Sequence, residues 1–513
     1  MTFAGDFFCI GLAAHHPEKF ANHTHLIIDE IHERSVDTDL LCYMTKRLLT
    51  LHPQLRLVVM SATLNTTTYA NYFNIPEDEY LFVGARRFPL KIHFLHDVLT
   101  MKSTFSSPVV SACKKLCNQN TNVLQPVQQN YSKVQLDIAF DISRKVGIPG
   151  RSVLIFVSGI AQITELVERF LEIKERRGRN NYLVIPIHSD IPFDEQMTAF
   201  EYVKKNEDGE GNDALPIKIV VATNAAESSI TLPDCDHVIC LGTAKRVEYN
   251  ARKHRTQLVH RFCSKAGCDQ RAGRTGRVRP GTVWRLYTHQ MFSAMDEFDP
   301  PEIQQTPLEH VILQLKSALN TNVIPVLENV ISPPDLSHIQ PSFNELHRMR
   351  YIESPDDDAS LTQDGTCAAL LGLDLKISQV VIYGIKLGIP HEAVAVAAAL
   401  SMDKSPFRQA SPFVHTPIEM ANITSSVVNG MSFFDQGMYS TPLMLVRVLH
   451  WYRHDNNTSS NRSRLIRKYG LAHARTKRLH ITSRGIEMKM SKFVDCFHEQ
   501  ELVDIGKHPR IQT

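Results

Sequence analysis

Short, unbroken apolar runs that stop abruptly at polar clusters constrain this chain more than any other feature. "HLII" ends at Asp29 and Glu30, "RLVVM" at Ser61, Ala62 and Thr63, and "IVVA" at Thr223 and Asn224. Runs this short, with no polar alternation, suit strands buried on both faces, as in a parallel sheet. Polar groups just past the carboxyl ends of such strands lie where open α/β sheets bind ligands. The first hundred residues therefore read as one α/β region, with strands at "HLIIDE", "LRLVVMSAT" and "YLFVG". A second follows, with strands at "SVLIFVSG", "YLVIPIHS", "IKIVVATN" and "HVICLG". Between them, residues 101–150 carry "CNQNTNVLQPVQQNYS" and read as a polar linker or surface insertion.

From about Phe292 the pattern turns helical. Thr306, Pro307 and Glu309 form a helix start, after which Leu308, Val311, Ile312 and Leu315 share one face. "ISQVVIYGIKLG" and "HEAVAVAAALS" read as buried helices of a small bundle. At 513 residues the chain exceeds what one hydrophobic core serves, so three or four domains are expected. Lys and Arg total 56 against 54 for Asp and Glu, a net charge of +2, so any nucleic-acid contact must be local. The ten cysteines include no C-x-x-C pair, which disfavours a zinc site or a disulfide framework. Asp6 interrupts the first apolar run, and no window approaches the roughly 20 apolar residues of a membrane span. An intracellular protein with no membrane partner is expected, in nucleus or cytoplasm.

The polar clusters carry the chemistry. Asp29 and Glu30 supply carboxylates of the kind that hold magnesium and direct a water at phosphate, although a strand-end pair can also just solvate a loop. Ser61 and Thr63 bring hydroxyls to a neighbouring strand end, as ligands or as helix caps. "QRAGRTGR", Gln270 to Arg277, sets Arg271, Arg274 and Arg277 three apart, relieved by Gly273 and Gly276. Such a set repels itself unless it meets an anion, and two glycines argue against a plain basic helix face. "VATNAAESSIT" can grip a sugar-phosphate backbone without reading bases, or serve as an ordinary strand-to-helix loop.

Taken in order, "DEIH", "SAT", "VATNAAESS" and "QRAGRTGR" resemble the motif series of the DEAH/RHA group of superfamily 2, the DExH-box RNA helicases. The similarity continues through "GARRFPL", "SVLIFVSGIAQI", "EIQQTPLEHVILQLK" and "LTQDGTCAALLGLDLKISQVVIYG", and "DEIHER" is closer to the RNA helicase A branch than to the splicing branch. The resemblance implies an α/β fold: two RecA-like parallel-sheet domains, the first truncated, then a mainly α winged-helix and helical-bundle region. The implied boundaries are 1–100 for the C-terminal half of the first RecA-like domain, 101–150 for the linker and 151–291 for the second. They continue with 292–362 winged-helix-like, 363–452 a helical bundle, and 453–513 a basic tail, partial bundle or start of an OB-fold.

The resemblance also implies roles. ATP is the substrate and Mg2+ the cofactor: Asp29 and Glu30 hold the ion through water, and Glu30 polarises the attacking water. His32 bridges toward Gln270, and Ser61 and Thr63 couple nucleotide state to RNA grip. Arg274 and Arg277 contact the γ-phosphate, while Arg271 either joins them at the nucleotide or braces the motif. Phe200 stacks on adenine or belongs to the core. Thr2, Gly5, Thr223 and Asn224 contact RNA backbone, and Arg252, Lys253 and Arg255 lie on a strand-separating β-hairpin spanning "VEYNARKHRTQLVHRF". The partner is RNA, single-stranded or duplex with an overhang. DNA is less favoured, and a protein activator is compatible. No G-x-x-x-x-G-K-[ST] phosphate loop occurs in these residues, so a fragment of a longer helicase is expected, or an RNA- or protein-binding module without turnover.

Overall fold

A computed structural model of the protein describes residues 17–62, 66–76, 81, 84, 88–101, 104–119, 121–177, 182–189, 191, 196–203, 215–227, 232–250, 255–319, 322–410, 417–454 and 466–491. The chain divides into two compact units, one running for the most part from Ala21 to Thr306 and the other from Pro307 onward. Among the described residues no helix is long and apolar enough to cross a membrane.

The first unit holds two parallel sheets. In the smaller, β1 (His25–Ile28) pairs with β2 (Arg56–Val59). Only one face of this pair is covered: Ile28 is buried, whereas the register partners Ile27 and Val58 are 45% and 41% exposed. After β1 the chain enters the helix Val36–Leu51, capped by Ser35, whose Oγ accepts from the Thr38 N–H. Arg34 and Asp39 lock that entry with a buried two-pronged ion pair of 2.7 and 2.9 Å.

The larger sheet has the order β3 (Leu90–Phe94), β10 (Gly281–Arg285), β7 (Cys235–Cys240), β4 (Ser152–Phe156), β6 (Ile217–Ala222) and β5 (Tyr182–Ile187), all parallel. Its central strands are the runs without alternation: every residue of β4 is buried. β3 lies before residue 100 yet joins this sheet beside β10, so the first α/β region ends earlier than the sequence suggested. A five-residue strand such as "LKIHF" cannot announce which sheet it will complete, because pairing is decided by tertiary neighbours.

The stretch 101–150, expected as a polar linker or surface insertion, carries the helices Ser107–Cys117 and Gln129–Val146. Their apolar faces bury Val109, Cys113 and Leu116, and Tyr131, Leu136, Ile138 and Ile142. The polar run between them masked both helices. Gln135 is fully buried and its amide donates to the carbonyls of Leu241 and Leu286, each at 2.7 Å, tying the ends of β7 and β10 together. Beyond β7, β8 (Thr243–Asn250) and β9 (Arg255–Phe262) form an antiparallel hairpin. The helix His289–Ala294 and the short turn Glu302–Gln304 complete this unit: a Glu302 carboxylate oxygen accepts from the Val36 N–H, and the Glu302 N–H donates to the Arg34 carbonyl.

The second unit is helical. Leu308–Leu319 buries Leu308, Val311, Ile312 and Leu315, the face read from the sequence. Tyr351, buried, donates to the Leu375 carbonyl at 2.6 Å and so joins the segment before residue 362 to the bundle after it. Leu375–Lys386 and Pro390–Leu400 pack together, with Gly384 where any larger residue would strike Ala393. The basic segment forms the helix His473–Met490, docked through Leu479, Ile486 and Met490. Arg453 holds it through Glu487 at 2.8 Å and Ser483 at 3.0 Å.

Candidate active site

The turn after β1 is stitched to the turn after β2 by backbone bonds. Met60 N–H donates to the Ile28 carbonyl at 2.8 Å, and Ile31 N–H donates to the Met60 carbonyl at 3.1 Å. Glu30 takes a left-handed conformation, φ 50° and ψ 34°, which non-glycine residues adopt rarely and which recurs at functional turns. The turn is held by Asp29, whose Oδ1 accepts the Glu30 N–H at 2.8 Å. Both acidic residues are exposed. Hard carboxylate oxygens in that setting fit a magnesium ion held partly through water.

His32 joins the two turns. Its Nδ1 accepts from the Ala62 N–H at 3.2 Å and lies 3.3 Å from Glu30 Oε2. One ring nitrogen cannot serve both: bare, it accepts from the amide, and protonated, it donates to the carboxylate. Among the described residues these are the polar partners of His32, and Gln270 is not one of them. Ser61 is exposed beside this link, while Thr63 lies outside the described residues, as do Thr2, Gly5, Arg252 and Lys253.

The arginine cluster is built differently from a basic helix face. The helix Lys265–Ala272, capped by Ser264, stops before Gly273. Arg274 and Arg277 therefore sit in a turn, each bonded through Nε to the carbonyl four residues back, Gln270 at 3.4 Å and Gly273 at 3.1 Å. Gly276 has φ +74°, and a side chain there would collide with Leu90. Burial, then the like charge of Arg277, lowers the Arg274 pKa to about 10, while Glu227 and Glu30 act the other way.

Arg271 is turned inward. Fully buried, it donates to Glu227 Oε1 at 2.5 Å and to the Thr243 carbonyl at 3.1 Å, and stacks its guanidinium 5.1 Å from the Phe156 ring centre. These are the contacts of a bracing residue. Phe200 packs against the core of the larger sheet, among Leu154, Ile185 and Val220. Thr223 is buried and opens the turn Asn224–Ala226, whose Asn224 is exposed. Arg255 begins β9. Sequence reasoning missed Glu227, the one carboxylate in "TNAAESS" and the partner of the buried arginine. Its signal was an acidic residue in a loop otherwise made of small neutral ones.

A family model described as "Helicase conserved C-terminal domain" matches residues 140–279, which hold β4 to β9 and the arginine turn. The chain is similar to ATP-dependent RNA helicase DHX29 of Mus musculus, 30% identical over 434 residues, covering 75% of this chain and 31% of that protein. It is also similar to DExH-box ATP-dependent RNA helicase DExH1 of Arabidopsis thaliana, 30% identical over 424 residues, covering 76% of this chain and 41% of the relative. DExH3 of the same plant is 29% identical over 476 residues, covering 85% of this chain and 37% of the relative. The chain thus spans well under half the length of these relatives. The chain therefore holds a helicase conserved C-terminal domain and is similar over three quarters of its length to DExH/DEAH-box ATP-dependent RNA helicases.

Proposed function

We propose that the protein is part of an RNA-dependent ATP hydrolase that moves along single-stranded RNA and opens duplexes. The observation that supports this reading is the exposed left-handed acidic turn Asp29–Glu30 at the end of β1, in a chain that also carries the arginine turn and is similar to proteins named ATP-dependent RNA helicases. Acid and guanidinium from two sheets are the groups that a transferring phosphoryl needs on its two sides. In this reading Asp29 and Glu30 hold Mg2+ through water and Glu30 polarises the attacking water. Arg274 and Arg277 neutralise charge on the phosphoryl oxygens. Mg2+, if bound there, would supply positive charge against the phosphate oxygens. His32, whose Nδ1 can answer either Glu30 or the Ala62 amide, links the hydrolytic turn to Ala62, and in this reading Ser61 and Thr63 pass phosphate loss on to the RNA grip.

In this reading RNA is held by its backbone at Thr2, Gly5, Thr223 and Asn224, and Arg252, Lys253 and Arg255 add basic charge toward phosphates. The relatives are named RNA helicases, which favours RNA over DNA. By analogy with the family, alternating closure between the two sheets draws the strand through toward its 5′ end.

A second reading, RNA binding without turnover, is favoured by the lack of a G-x-x-x-x-G-K-[ST] loop in these residues. Glu30→Gln separates the two. Under the first reading it lowers RNA-stimulated phosphate release on the order of 10²- to 10⁴-fold and leaves RNA affinity within about threefold. Unaltered release in this variant would refute the role of Glu30, and no release from the unaltered chain would leave RNA binding as the function of these residues.

A further inference from the structure

The chain between β1 and the helix Val36–Leu51 passes through the left-handed region twice, at Glu30, φ 50°, and at Arg34, φ 49°. Neither is glycine, and such backbone persists only where its surroundings hold it on several sides. At the Glu30 end the holders are near in sequence. Asp29 Oδ1 accepts the Glu30 N–H, the Met60 carbonyl accepts the Ile31 N–H, and the buried Tyr69 donates its hydroxyl to the Ile31 carbonyl at 3.1 Å. At the other end the Arg34 N–H returns to that same Ile31 carbonyl at 3.3 Å, and the ion pair with Asp39 fixes the side chain. The Ile31 carbonyl therefore links the two left-handed residues.

A further holder comes from 266 residues along the chain. Glu302 meets this stretch through two separate groups: its N–H donates to the Arg34 carbonyl at 3.1 Å, and its Oε2 accepts from the Val36 N–H at 3.0 Å. An N–H in the first turn of a helix has no partner within it, so a carboxylate there gains both a hydrogen bond and the helix dipole. The two bonds fix the backbone on either side of Ser35. Glu302 is exposed but kept in place, because Ile303 beside it is 1% exposed, and the Gln304 and Gln305 N–H groups turn back to the carbonyls of Pro301 and Glu302 at 3.0 and 2.8 Å.

We infer that Glu302 is a positioning residue of the acidic turn: it touches no phosphate, but its segment, just before the helical unit, sets where Glu30 points. Loss of its carboxylate frees the Arg34–Val36 backbone first, and the turn Ile31–Glu33 follows through the Ile31 carbonyl, taking His32 from its place 3.3 Å from Glu30 Oε2. The inference rests on the function proposed above for what Glu30 does, and on bond geometry for how the turn is held.

The test compares the full chain with Glu302→Ala, which removes the acceptor and keeps the backbone bond, and with Glu302→Gln, which keeps an oxygen for the Val36 N–H. Amide hydrogen exchange is read first, without nucleotide, on peptides from the acidic turn and the start of the following helix. Exchange there is expected to rise at least about fivefold in Glu302→Ala with β4 and β6 unaltered, and to stay within about twofold of the parent in Glu302→Gln. RNA-stimulated phosphate release is read next, per folded molecule and across ATP concentrations. In Glu302→Ala kcat is expected to fall about tenfold while KM for ATP stays within about twofold, because only the placement of Glu30 has changed, and Glu302→Gln is expected to recover most of kcat. Unaltered exchange in Glu302→Ala overturns the inference, as does raised exchange with an unaltered kcat, or a KM that rises as kcat falls. If the unaltered chain releases no phosphate, the proposed function fails instead, and the exchange of the acidic turn decides by itself whether Glu302 positions it.

Discussion

Lys218 is fully buried on β6, and its ammonium is satisfied on three sides: Asp234 Oδ1 at 2.9 Å, the Ala199 carbonyl at 3.1 Å and the Glu201 carbonyl at 2.8 Å. Asp234 is equally buried and accepts a second bond of 2.6 Å from Ser152 Oγ. Lys218→Met fills the same volume but strands a carboxylate and two carbonyls. Breaking a buried pair from one side costs about 3–5 kcal/mol. With a urea dependence of roughly 3 kcal/mol per molar, the unfolding midpoint of the first unit should fall by about 1 to 1.7 M. The two tryptophans lie in different units, Trp284 on β10 and Trp451 in the helical unit, so a Trp451→Phe background lets Trp284 report the sheet alone. Adding Asp234→Asn, which is neutral and still accepts from Ser152, should recover at least half of the loss. A midpoint within about 0.3 M of the parent for Lys218→Met would refute the view that this ion pair anchors the segment after Phe200.

Other consequences can be checked with the same readout. Burial, followed by the charge of Lys245, lowers the His260 pKa to about 4, and its Nε2 is enclosed without a hydrogen-bond partner among the described residues. The unfolded chain takes up that proton near pH 6.5 and the folded one only at lower pH, so stability falls as pH drops through this window, by about 1 kcal/mol from pH 7 to pH 5 once solvent screening is allowed for. His260→Gln should flatten that part of the profile. Gln135→Leu orphans the carbonyls of Leu241 and Leu286 and should cost roughly 2–4 kcal/mol in the Trp284 transition. Gly276→Ala meets a left-handed φ and the Leu90 side chain, and should cost at least about 1 kcal/mol while displacing Arg277 enough to slow any phosphate release.

The clearest legible features were those set by local pattern. The apolar runs of β4 and β6 announced a parallel sheet because strands covered on both faces cannot alternate, and Leu308 to Leu315 announced a helix face by spacing alone. The motif order gave the carboxylates and arginines as one set. What the sequence hid was tertiary. Nothing local to "LKIHF" says that β3 completes the larger sheet, and nothing local to Gln135 says that its amide will bridge two strand ends. Arg271 looks like its neighbours in sequence and differs from them only because the helix ends one residue later, turning it inward while Arg274 and Arg277 follow the glycine turn. Glu227 drew no notice for the same reason: a loop carboxylate acquires a role only when the fold supplies its partner.

The central claim is that Glu30 and Arg274 serve one chemical step from two sheets. RNA-stimulated phosphate release by the unaltered protein, Glu30→Gln, Arg274→Ala and the double variant tests it most directly. Groups acting on a single transition state are strongly non-additive, so the account predicts that each single change removes most of the release, roughly 10³-fold, and that the double variant is no worse than the poorer single one. Losses that multiply in the double variant, or release that survives either single change, would contradict it.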